Sequence, residues 1–109
     1  MLVRVGADGR LVQRTEQVVD LARALGDNLA VILKGHGAVI VGDSIEAAFV
    51  ASILLEENAT RLYQASLLGE PSIFEGDALR ELKRQTWQPK VISKIWNYHI
   101  LKADAAKVL

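Results

Sequence analysis

Two short apolar runs separated by a glycine-flanked histidine constrain this chain most. Leu29-Ala30-Val31-Ile32-Leu33 is unbroken, and Ala38-Val39-Ile40-Val41 follows after Lys34-Gly35-His36-Gly37. Their length and β-branched content mark them as strands buried on both faces rather than as helices. Glycine on each side of His36 removes side-chain bulk and permits unusual backbone angles. The imidazole therefore stands at a sharp turn with room beside it. Such a placement suits a metal ion or a ligand; it also suits a histidine that only hydrogen-bonds the turn.

Helical patterns surround this pair. Thr15 caps a helix over Glu16 to Leu25, whose stripe is Val18, Leu21, Ala22 and Leu25, with Gly26 placed for a left-handed C-terminal cap. After the second strand, Asp43 and Ser44 are alternative caps, and Asp43 with Glu46 has capping-box spacing. The helix they start runs to about Leu68, before the stop signals Gly69 and Pro71. Its first half is apolar nearly all round, from Ala47 to Leu55, which predicts burial on several sides. A 109-residue chain has little material to cover it, so further sequence or a partner subunit is expected there.

Asp77 to Gln85 reads as a short amphipathic helix. Pro89 suits the first turn of a last helix reaching about Ala103, with Ile92, Ile95, Trp96 and His99 on its apolar stripe. Trp87 and Pro89 fix the bend between these two helices. At the other end, Leu2-Val3-Arg4-Val5, the turn signal Ala7-Asp8-Gly9 and Leu11-Val12 predict a short hairpin. The expected class is α/β (α+β), a few strands flanked by four helices, the strands too few to form a sheet of their own.

Thirteen basic and thirteen acidic residues leave no net charge, which argues against a nucleic-acid partner. The tail from Asp77 onward is richer in basic residues; Lys90 and Lys94 lie four apart on one helix and either attract a carboxylate substrate or form a solvated face. There is no cysteine, so disulfides and thiolate metal sites are excluded. The longest apolar run, Ala47 to Leu55, is far short of a membrane span, and no basic-then-apolar leader opens the sequence. A soluble cytoplasmic protein without membrane contact is expected. No phosphate-binding glycine loop and no Ser/His/Asp constellation is found.

The stretch from Leu33 to Phe49 resembles a signature of the class II aldolase/adducin family: apolar strand, His36-Gly37, apolar strand, Gly42-Asp43-Ser44, then an acidic helix start and alanine. Leu55-Glu56-Glu57-Asn58-Ala59 and Ala24-Leu25-Gly26 extend the likeness, which spans roughly Leu11 to Gly69. The Gly-His-Gly form, Trp96-Asn97-Tyr98 and the opening Met1-Leu2-Val3-Arg4 are similar to the branch that includes aromatic and pyridine carboxylate decarboxylases.

This resemblance implies that residues 1–109 are the C-terminal half of such a domain, part of its α/β/α sandwich. It implies that His36 is a ligand of a divalent metal of zinc or manganese type, with Gly35 and Gly37 lining the site. It implies a carbon–carbon lyase, aldolase or decarboxylase, acting on a small hydroxy, carbonyl or carboxylate compound. Glu56 would hold the second ring nitrogen of a ligand histidine; its helical row, with Ile45, Phe49 and Ser52, reads as mostly buried, and the alternative is a salt bridge or a surface charge. His99, Trp96 and Tyr98 would approach the site from the last helix, or else serve packing. The departure from the family is large. The His-x-His pair and the catalytic acid of the family's N-terminal half have no counterpart here, where His36 and His99 are the only histidines. Catalytic zinc usually takes three protein ligands. The chain is thus expected to be inactive alone, and to work as a homo-oligomer or with a complementing N-terminal half. A non-catalytic, adducin-like oligomerisation or binding module, or a truncated remnant, is the other reading.

Overall fold

The computed structural model describes residues 15–108 and the backbone of Arg4 and Val5. The chain divides into two compact units, Met1–Ala51 and Ser52–Leu109.

The first unit is built on a three-stranded sheet in the order β1-β2-β3, with β1 at Arg4–Val5, β2 at Ala30–Leu33 and β3 at Gly37–Ile40. β1 runs parallel to β2, pairing Arg4 with Ile32 and Val5 with Leu33. Parallel neighbours need a crossover connection, and helix α1, Thr15–Leu25, supplies it and packs on both strands. This corrects the expectation that the strands are too few for a sheet of their own. The alternation at Arg4–Val5 is real, but its partner is β2; Leu11-Val12 lies outside the described residues. Gly26, at φ +50°, ends α1 as expected, its N–H donating to the Ala22 carbonyl at 3.0 Å.

β2 and β3 form an antiparallel hairpin from Ala30↔Ile40 to Leu33↔Gly37. Only Val31 is fully buried in it; the other strand residues are half-buried or exposed. Burial on both faces is therefore not reached.

Helix α2, Ile45–Leu68, begins in the first unit. Ser44, not Asp43, is its cap: the Ala47 N–H donates to Ser44 Oγ at 3.0 Å. The turn from β3 into α2 depends on Gly42, where a Cβ would lie 2.6 Å from the Ala48 nitrogen. With that approach Ala47, Val50 and Ala51 join Val31 as the buried core.

The second unit contains the rest of α2, helix α3 at Gly76–Thr86 and helix α4 at Pro89–Ala105. Pro89 stands at the first turn of α4 as expected. Trp87 caps the end of α3, its N–H donating to the Lys83 carbonyl at 2.8 Å. α3 carries charge pairs at i,i+3 spacing, Asp77 with Arg80 and Glu81 with Arg84. Along α4, Ile92, Ile95, Trp96 and His99 are half-buried on one stripe. None of the described residues of this unit is fully buried. In α2 the apolar stretch Ala47 to Leu55 is buried or half-buried at every residue, as its sequence predicts; outside it Ile45 is 79% exposed and Leu67 70%. No helix of the described residues is long and apolar enough to cross a membrane.

Candidate functional site

His36 sits at the tip of the β2–β3 hairpin, in the three-residue link Lys34-Gly35-His36. Its N–H donates to the Leu33 carbonyl at 3.2 Å, closing a β-turn. Gly35, the third residue of that turn, has φ +77°, the conformation that a type II turn demands there and that glycine adopts without penalty. Gly37, at φ +136°, returns the chain to the ladder. A Cβ at either glycine would meet nothing within 4 Å, so the glycines serve backbone shape and leave open space beside the ring. Lys34, His36 and both glycines are exposed. The turn is thus the one predicted, and its residues are exposed.

Glu56, His99, Trp96 and Tyr98 belong to the second unit. Glu56 and His99 line the same open groove of about 430 Å³, together with Ile53, Glu57, Thr60, Arg61 and Gln64. Glu56 is exposed, and in its row Ile45 is exposed while Phe49 and Ser52 are half-buried. The expected buried face fails at both ends of the row. Half-buried His99 meets Tyr98 edge to face, with ring centroids 5.1 Å apart. Arg61 donates to the Glu57 carboxylate at 3.0 Å. The structure therefore brings Glu56 and His99 to one groove, with Tyr98 only against its chain neighbour His99, and keeps Trp96 on the half-buried stripe of α4.

Sequence reading missed the groove residues Glu57, Thr60, Arg61 and Gln64. Their signal was present, since Ile53, Glu57, Thr60 and Gln64 recur at i, i+4, i+7 and i+11, one helical face. The resolved pKa displacements lie away from both places, on α3. The Glu81 carboxyl is held below the usual range by hydrogen bonds from Arg84 and then Gln85, and the Arg84 guanidinium is raised by the same contact.

The geometry of the hairpin places a ligand-type imidazole, but the donor set does not make a metal centre. Among the described residues no group of three or more histidine, cysteine, aspartate or glutamate side chains is placed to hold an ion. The residues present thus do not fit a complete divalent-metal site.

Residues 5–63 match the family model described as Class II Aldolase and Adducin N-terminal domain, more than half of the chain and all of the hairpin. The chain belongs to the class II aldolase/adducin family. No curated protein and no solved structure matches it. Within the match lie Val5 of β1, α1, the His36 hairpin and most of α2; α3 and α4 lie beyond it.

Proposed function

We propose that this class II aldolase/adducin-family chain is part of a divalent-metal-dependent carbon–carbon lyase and supplies His36 as one ligand to an ion of zinc or manganese type. The observation that carries this reading is the exposed imidazole on a two-glycine turn inside the family match. The reaction is aldol cleavage or decarboxylation of a small hydroxy, carbonyl or carboxylate compound. The fold alone does not choose between the two. Residues 1–109 form the later half of the family domain and are inactive alone.

Association supports the same reading. Tyr63, Leu67 and Leu68 are exposed apolar side chains near the end of α2, and exposed apolar surface of this kind marks an interaction face. The cover is a homo-oligomer or a complementing N-terminal half.

Co-expression with the coding sequence immediately upstream, followed by elemental analysis of the purified complex, tests the proposal. Stoichiometric zinc or manganese, lost in His36→Ala, is the expected result. A well-folded complex that contains intact His36 and no metal would sink it.

A second reading has its own support. The lack of a three-donor cluster among the described residues is what an adducin-like assembly module without lyase chemistry would also show. Such a module associates through α2 and binds no ion in any combination.

A further inference from the structure

We infer that the groove between α2 and α4 is a binding site for a small organic ammonium compound that also carries a hydroxyl, with the Glu56 carboxylate as its anchor. The site lies wholly in the second unit and uses no part of the His36 hairpin. It therefore stands or falls apart from the metal reading.

The α2 side of the groove runs from Ile53 to Gln64, one helical face of about three turns and roughly 16 Å. His99 of α4 completes the lining. Ile53 and His99 are half-buried, whereas Glu56, Glu57, Thr60, Arg61 and Gln64 are exposed. The covered part of the lining is thus apolar and aromatic, and the open part is polar. Its volume of about 430 Å³ is in the range of about 300–1,000 Å³ usual for small-molecule sites. Because α4 lies beyond the residues that match the family model, the groove is not a feature of the matched segment alone.

Charge and hydrogen-bonding capacity select the ligand. Arg61 and Glu57 pair with each other at 3.0 Å. Glu56 makes no hydrogen bond or ion pair among the described residues, and neither do the side chains of Thr60 and Gln64. Two carboxylates against one guanidinium leave the lining with a net negative charge when histidine is neutral. An anion would meet an unpaired carboxylate and a guanidinium already engaged. A metal ion is not served either, since the described residues offer no group of three donors. An ammonium instead gains a charge-assisted hydrogen bond to Glu56. A hydroxyl on the same compound is matched by Thr60 and Gln64, whose side chains both donate and accept.

The test is a titration of the 109-residue chain, followed by NMR at the amides of Ile53 to Gln64 and at the His99 ring, above the ordinary histidine range. Three probes of one length differ in charge: 4-amino-1-butanol, 1,4-butanediol and 4-hydroxybutyrate. The expected result is a saturable response confined to the groove with the aminoalcohol, and none with the diol or the carboxylate. Glu56→Gln should weaken the aminoalcohol about fivefold, the upper end for an exposed ion pair. Gln64→Glu should strengthen it, because it adds a second negative charge to the lining; circular dichroism checks that both variants fold. High salt should weaken the parent more than Glu56→Gln. Equal responses to aminoalcohol and diol, no response at the groove, or an affinity unchanged in Glu56→Gln would each overturn the inference. So would Nα-acetyl-lysine-N-methylamide binding far more tightly than the aminoalcohol, since the groove would then receive a partner protein's lysine rather than a free amine.

Discussion

Gly42→Ala is the sharpest test of how the hairpin is joined to α2. The added methyl would sit 2.6 Å from the Ala48 nitrogen and 3.1 Å from both the Ala47 carbonyl carbon and the Ala48 Cα. All three are backbone atoms of the first turn of α2, so no flexible side chain can yield. Gly42 does not have a positive φ, and in open space its replacement by alanine would stabilise by about 0.4–1 kcal/mol through the unfolded chain. Overpacking of this kind costs about 1–3 kcal/mol. The difference leaves a net loss of roughly 1–2 kcal/mol, a fall in Tm of roughly 5 °C or more. Far-UV circular dichroism against urea and temperature reads it. Gly35→Ala is the control: its Cβ meets nothing within 4 Å, but φ is +77°, so it loses roughly 1–2 kcal/mol from backbone conformation alone. The two losses separate on substitution by serine. At position 42 serine is worse than alanine, because it is larger, whereas at position 35 the two are alike. A Gly42→Ala chain as stable as its parent would refute the close-approach argument.

Other consequences can be measured directly. Ser44→Ala removes the acceptor for the Ala47 N–H and should lower stability by about 1 kcal/mol, whereas Asp43→Ala should have a smaller effect; equal losses would return the cap to Asp43. His36→Ala should change stability by less than about 0.5 kcal/mol, as for other exposed positions, and abolish metal retention in the completed assembly; a large loss of stability would make the imidazole a structural element of the turn. The hydrogen bonds that hold the Glu81 carboxyl below its usual range should support α3 fully above the ordinary carboxylate range, and that support should be lost as pH falls through the lowered value. A helicity titration should show this loss in the parent and not in Glu81→Gln; identical curves would contradict it.

Much of the architecture was legible because its signals are local. Gly26 and Pro89 end and start helices by backbone geometry that needs no tertiary partner, and both stand where their residue types require. The turn at His36 was legible for the same reason, since glycine at a positive φ is a property of Gly35 itself. What failed depended on neighbours. The alternation at Arg4–Val5 carries no information on a parallel partner that arrives after a crossover helix, so the pairing with β2 was not foreseen. The strand residues were read as doubly buried because their composition suits that setting, and the cover for the second face is not within the described residues. Glu56 was placed on a buried row because Phe49 and Ser52 share its spacing, but burial stops before it reaches position 56. The choice of Ser44 over Asp43 turned on which residue directly precedes the first helical one. The groove beside His99 needed α2 and α4 to meet, which spacing within one helix cannot specify.

The three helices of the second unit have amphipathic or apolar faces but no enclosed side chain among the described residues. Helices without a dry interior unfold less cooperatively, so their amides should exchange with solvent more readily than those of a closed core. Association that covers those faces would add order there. Melting temperature would climb with protein concentration or with the amount of the completing chain, and a value measured at one dilution would describe the mixture rather than the molecule.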